Sequence, residues 1–248
     1  VKIIEMDGNG PEVVAERAGT CINCGHCVCV CPEAALTHKN LAPGDCPPSG
    51  DAPTEEDIER IIRRRRSYRS FKKEPVERET LERLIKIARY GPTGTNSQQI
   101  SWIAIDKREG VADVAGYVID WMKKLIKWRH PAAKNYGFKR IVMAQEAGID
   151  VICRDATALV VTHAPKKHRL GTTDSAIALT SMDIAAPSLG LATCWGGFVM
   201  AAAGYHKPLV KYLEIPKGQV LTGVMLIGLP KFGYERLPAR NEAKINWL

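Results

Sequence analysis

The 248-residue chain is 45% apolar and 25% charged, close to ordinary globular values, so disorder is not the default and most of it can bury a core. Its length suits one large domain or one ordinary domain carrying a small appendage, of which the second is expected. It has no run of eighteen or more apolar residues and no basic, apolar, small-residue series of a secretory leader, so the expectation is a soluble cytoplasmic protein without membrane partners. Part of the net charge of +8 lies in "RRRRSYR", Arg63 to Arg69, a composition that suits either a phosphate partner or a solvated helix end.

Residues 1–50 are rich in Gly, Pro and Cys and poor in long apolar segments, so hydrophobic burial alone cannot hold them and a metal is expected to supply the missing stability. Six of the eight cysteines fall between Cys21 and Cys46. Thiols three residues apart in a reduced cytosol converge on one centre more readily than they cross-link loops. Cys21, Cys24, Cys27 and Cys31, followed by Pro32, resemble the C-x2-C-x2-C-x3-C-P run of bacterial ferredoxins and imply a 4Fe-4S cluster, with Gly25 easing the wrap. Structural zinc, on two cysteine pairs or with His26 and His38, is the alternative.

In two-cluster ferredoxins the fourth cysteine of a run serves the other cluster. The opening "VKIIEMDGNGPEV" resembles the segment just downstream of a first run, so the expectation is a truncated module with one or two clusters. Cys46 is then the fallback fourth ligand, and Cys29 a small buried packing residue.

"LAPGDCPPSGDAPTEED", Leu41 to Asp57, reads as a linker running into a helix capped at Thr54, which places a second domain at 54–248. Leu81, Leu84, Ile85 and Ala88 mark an amphipathic helix stopped by Gly91 and Pro92, and Val111 to Lys127 carries a second stripe. Ser101 to Asp106, Ala158 to Ala164, Leu191 to Phe198 and Val220 to Gly228 read as buried strands. Asp174 to Gly190 reads as a helix apolar nearly all round, either threading the domain centre or forming a subunit interface. The class is α+β.

The second domain resembles the FMN-dependent nitroreductase family. The matching pieces are Arg65, Ser67, Arg69 and Phe71 in "RRSYRSF", Pro92, Thr93, Gly94, Asn96 and Gln98 in "GPTGTNSQ", Gly196 and Gly197 in "GLATCWGGF", and the tail "YERLPARNEAKINW". The resemblance implies a central mixed sheet surrounded by helices, in a homodimer. It implies FMN phosphate and ribityl contacts from Arg65, Ser67 and Arg69, with Arg240, or second Arg236, closing over the phosphate. The Pro92 to Gln98 loop is implied to lie against the isoalloxazine, and the amides at Gly196 and Gly197 near its reactive nitrogen. Gln99 and Ile100 stand where many relatives have Pro-Trp.

Trp195 fits either a flavin neighbour or a core residue, while Cys194 and His163 read as buried structural groups. No protein acid or base is assigned, since in such enzymes the flavin carries the chemistry. The combined expectation is an oxidoreductase whose iron–sulfur module feeds FMN, with ferredoxin or NAD(P)H as donor and a nitroaromatic, quinone or similar small molecule as acceptor. Dehalogenation, flavin fragmentation or alkene reduction on the same fold is the alternative. A nucleic-acid-binding iron–sulfur regulator using Arg63 to Arg66 is the rival from another class, disfavoured because no stacking aromatics accompany the charge.

Overall fold

The computed structural model describes residues 3–8 and 10–248 and divides into two compact units. The smaller comprises the segment ending at Thr54 together with Thr93–Gln98, and the larger comprises Glu55–Pro92 with Gln99–Leu248.

In the smaller unit, β1 (Ile4–Asp7) pairs antiparallel with β2 (Gly10–Val13), Ile4 lying opposite Val13. The sequence reading missed this pair because four-residue strands with mostly exposed side chains carry no hydrophobic alternation. Two short helices come next, α1 (Ala15–Ala18) and α2 (His26–Val30), then a 3-10 turn at Pro43–Asp45. Gly25 opens α2 at φ +73°, and a Cβ there would stand 2.6 Å from Leu41 Cδ2. Gly25→Ala therefore costs about 1–2 kcal/mol from the left-handed backbone, before any displacement of Leu41. Amide hydrogen exchange of α2 checks this, with faster exchange expected.

The larger unit opens with α3 (Glu55–Arg64), directly after Thr54, its acids in the first turn and Arg63 and Arg64 in the last, as the helix dipole favours. After α4 (Arg78–Ala88) come β3 (Ser101–Ile105), α5 (Arg108–Lys127), α6 (Pro131–Asn135) and α7 (Phe138–Glu146). The chain then forms β4 (Ala158–Pro165), α8 (Gly171–Ala185), β5 (Ala192–Trp195), α9 (Gly197–Ala203), α10 (Lys207–Tyr212) and β6 (Gln219–Gly228).

The four strands of this unit form one sheet in the order β3-β4-β6-β5. Every ladder in it is antiparallel, which corrects the expected mixed sheet; the parallel component among the described residues is the single bridge from Ser67 to Thr193. Helices cover both faces. Leu159, Val161, Val224 and Leu226 pack with α5, α7 and α9, whereas the alternate residues Ala158, Val160, Met225 and Ile227 pack with α4 and α8. Burial on both sides explains why these strands read as continuous apolar runs instead of alternating ones.

Helix α8 lies against α4 and β6 and is continued by a 3-10 turn, Ala186–Leu189, closed by Gly190 at φ +70°. It threads the core of this unit, the first of the two alternatives its composition left open, and begins three residues before Asp174. Among the described residues no helix is long and apolar enough to cross a membrane.

Candidate functional site

The Arg65 to Phe71 segment is stitched to β5. Tyr68 N donates to Thr193 O at 2.9 Å, and Ser67 bridges the same residue. Arg65 Nη1 donates to Asp183 Oδ2 at 2.8 Å, and Thr193 Oγ1 donates to the other oxygen of that buried carboxylate. Arg65 is thus held as the counter-ion of Asp183, a use that the family resemblance did not indicate.

Arg69 is exposed, with Nη1 donating to Ser67 O at 3.3 Å, and its guanidinium borders a large cavity that runs past Gly197. Phe71 is a core residue, 4% exposed and packed on the face of Gly228. Arg240 and Arg236 are exposed in the irregular tail, and among the described residues no hydrogen bond or ion pair joins either of them to Arg65, Ser67 or Arg69.

The Arg63 to Arg66 run is not a free basic face. Arg63 pairs with Glu59 at 2.8 Å, Arg65 with Asp183, and the Arg66 guanidinium lies 5.7 Å from the Tyr234 ring centroid. Tyr234 in turn meets Tyr68 edge-on at 5.1 Å.

Pro92 ends the first segment of the larger unit, while Thr93, Gly94, Asn96 and Gln98 belong to the smaller one. There Gly94–Asn96 forms a 3-10 turn, with Thr95, Asn96 and Gln98 at φ +52°, +52° and +47°. Gln98 N donates to Thr93 Oγ1 at 3.0 Å and Gln98 Nε2 to Asn96 Oδ1 at 3.2 Å. Asn96 Nδ2 donates to Asn23 O at 3.0 Å and Ile22 O at 3.3 Å, so this amide serves the backbone of the cysteine loop.

In that loop Asn23 and Gly25 both have positive φ, +54° and +73°, a backbone suited to wrapping a compact group. The thiols sort differently. Among the described residues no three His, Cys, Asp or Glu side chains converge as a metal site, so Cys21, Cys24, Cys27 and Cys31 are not brought together as a ligand set. Cys21 Sγ lies 3.9 Å from His38 Nε2, and Cys29 Sγ 3.7 Å from Cys46 Sγ. Desolvation, then the neighbouring Cys29, holds the Cys46 thiol above its ordinary value. Cys29 is exposed, which overturns its reading as a buried packing residue: five-residue α2 buries Val28 and leaves Cys29 outside.

The segment Leu191 to Phe198 is not one strand. β5 ends at Trp195 and Gly197 opens α9. Gly196 is required by packing, since a Cβ there would stand 2.5 Å from Val224 Cγ1. At Gly197 a Cβ would meet nothing within 4 Å, and this residue lines a cavity of about 1150 Å³ together with Arg69, Cys194, Trp195 and Phe198. Open space over a glycine amide, with a guanidinium beside it, fits a planar cofactor approaching the backbone there. Trp195 packs on the α4/α8 side of the core and also lines the cavity.

Burial pushes the Cys194 thiol above its ordinary value, with Arg69 and Arg154 acting in the opposite direction. His163 is buried on β4 and hydrogen-bonded to Gln219.

Sequence reasoning missed the far wall of this cavity. Trp121 and Lys124 come from α5, Phe138 from α7, Arg154 from the loop before β4, and His206 and Lys207 from the start of α10. No local spacing links residues drawn from such separate segments.

A profile described as Nitroreductase family matches residues 62–229. The chain is 27% identical over 184 residues to "FMN reductase [NAD(P)H]" of Bacillus subtilis (strain 168), covering 73% of this chain and 69% of that protein. Among solved structures, a nitroreductase with bound FMN from Bacteroides fragilis superposes with a TM-score of 0.63 at 18% identity, over 79% of this chain and 100% of that one. A nitroreductase with bound FMN from Desulfitobacterium hafniense gives 0.63 at 22% identity, over the same 79% and 100%. With its antiparallel sheet between two helical layers and a profile match spanning most of its length, the chain belongs to the nitroreductase family of oxidoreductases.

Proposed function

We propose that the chain is an FMN-dependent oxidoreductase that passes electrons from NAD(P)H to a small organic acceptor of the nitroaromatic or quinone class. The observation that carries this reading is the open approach to Gly197 on a cavity that also presents Arg69 and aromatic walls. The donor is supported by the name of the Bacillus subtilis relative.

When bound, FMN supplies the transfer of one or two electrons. Arg69 and Ser67 would hold its phosphate and ribityl chain, joined by Arg240 of the tail; a guanidinium fork and a hydroxyl match a phosphate dianion. The Gly197 amide would face the ring, and Trp195 and Phe198 would keep water from it. Arg69→Ala with Arg240→Ala is expected to lower FMN affinity by about 100-fold, roughly one charge-assisted bond each. Equilibrium dialysis checks this, and unchanged flavin content overturns the phosphate assignment.

The smaller unit is read as an iron–sulfur module with one cluster, or two where an upstream run exists, able to take electrons from a ferredoxin. The C-x2-C-x2-C-x3-C-P spacing and the left-handed turns at Asn23 and Gly25 support it. The homodimer is supported by α3, which buries none of its residues although Ile58, Ile61 and Ile62 form an exposed apolar stripe.

One set of measurements tests the whole reading: iron, sulfide and flavin content, sedimentation mass, and anaerobic turnover of nitroaromatics and quinones. One FMN and about four irons per chain are expected. A flavin-free protein sinks the enzyme reading, and zinc in place of iron sinks the module.

A further inference from the structure

The cavity beside Gly197 is larger than the roughly 300–1,000 Å³ that one small ligand takes, at about 1150 Å³. Its charge is one-sided. Arg69, Lys124, Arg154 and Lys207 line it, and among the described residues no Asp or Glu does. Among the described residues none of these four cations takes part in an ion pair, although the chain carries 27 Asp and Glu. With Arg69 assigned to the FMN phosphate, Lys124, Arg154 and Lys207 remain to focus a positive potential into the concavity.

Arg154 is the most constrained of them. It and Asp155 sit at φ +61° and +59°, a conformation that costs a non-glycine residue energy. The Asp150 carboxylate fixes the loop by accepting from Ile152 N at 3.0 Å, Cys153 N at 2.8 Å and Asp155 N at 3.1 Å. Arg108 pairs with Asp155 at 3.2 Å on the outer side. This backbone places Arg154 on the cavity wall, close enough to Cys194 for its charge to act on that thiol.

The facing wall is aromatic. Trp121 and Phe138 rings lie 5.4 Å apart, and Phe138 meets Phe198 edge-on at 6.5 Å. Trp121 Nε1 and His206 Nε2, both on residues of this wall, are buried polar atoms without a hydrogen-bond partner. Desolvation, then Lys124, holds the imidazole of His206 below its ordinary value.

We infer that this cavity selects an aromatic anion, a ring bearing a carboxylate or an equivalent acidic group, with the ring against Trp121, Phe138 and Phe198 and the anion on Arg154. Lys124 and Lys207 extend the attraction to the mouth. The inference names the acceptor class for the flavin enzyme proposed above and rests on that reading only for turnover, since binding is measurable without it.

The probes are 4-nitrobenzoate and its neutral isostere 4-nitrobenzamide, titrated against tryptophan fluorescence in apoprotein and in FMN-loaded protein, with NADPH-driven kcat/KM as a second readout. The carboxylate is expected to bind at least about 10-fold more tightly than the amide, the weight of one charge-assisted hydrogen bond. Arg154→Gln is expected to bring that ratio close to one, and Lys124→Gln to halve it at low salt. Arg154→Lys, which keeps the charge and loses the fork, restores part of it.

Equal binding of the two probes overturns the inference, as does a preference that survives Arg154→Gln. If Arg154→Gln instead empties the protein of FMN, the guanidinium belongs to the cofactor; if it raises only the KM for NADPH, it belongs to the donor, and either result overturns the assignment. Parent protein that takes up no FMN, yet shows the carboxylate preference as apoprotein, sinks the enzyme reading and leaves this one standing.

Discussion

Replacing Arg65 with methionine lowers the unfolding free energy of the larger unit by about 3–5 kcal/mol in urea titrations. The Asp183 side chain is 4% exposed and Arg65 26%, so removing the guanidinium leaves a carboxylate in the interior with Thr193 Oγ1 as its remaining side-chain donor. The cost is that of an uncompensated buried charge, and it exceeds what the intact pair contributes. Arg65→Met combined with Asp183→Leu therefore recovers most of the loss, because two apolar groups demand no partner. A single-variant loss under about 1 kcal/mol would mean that water reaches Asp183 and that Arg65 is available to a phosphate after all.

Phe71→Ala is expected to cost about 3–5 kcal/mol as well, as removal of a buried aromatic side chain from a close-packed core does. Phe71 is 4% exposed, and its ring stands against the face of Gly228 so closely that a Cβ on the glycine would come within 2.8 Å of Phe71 Cδ1. Lys72 N donates to Leu229 O at 2.9 Å next to it, so the ring and the backbone together pin this segment to the end of β6. Arg69 is two residues away, and the variant should also loosen FMN. Calorimetric unfolding separates the two effects, since a purely ligand-binding role leaves the apoprotein's melting temperature where it was.

The elements whose residues obey one period were legible in the sequence. Leu81, Leu84 and Ala88 are buried on α4, and Val111, Val114, Ala115, Val118 and Met122 on α5, as their spacing requires. The run from Leu191 to Phe198 was read as one strand because apolar composition does not mark where Gly196 and Gly197 turn a strand into a helix. Residues 131–146 escaped notice, for two short helices joined at Gly137, with φ +65°, carry too few turns to display a stripe. Arg65 carries the family motif in its sequence, but its partner Asp183 lies 118 positions away, and no local rule pairs them. The cation-lined cavity was hidden for the same reason: beside Arg69, which the family motif marks, Lys124, Arg154 and Lys207 each look like an ordinary surface residue until the fold gathers them.

The recruitment of Thr93–Gln98 into the smaller unit changes what a domain boundary means in this chain. The polypeptide passes from one unit to the other after Thr54, Pro92 and Gln98, three covalent crossings where a simple fusion has one. Each crossing removes conformations from the open ensemble, so the 93–98 loop is presented to the carbonyls of Ile22 and Asn23 at a tether-limited local concentration and not as a free peptide. A protein cut at residue 54 keeps the larger unit's chain intact yet strands Asn96 in front of water, and the six-residue loop loses the partner that sustains its three left-handed residues. The smaller unit is thus less an appendage than a fold of two separate segments, completed by a loop borrowed from the middle of its neighbour's sequence.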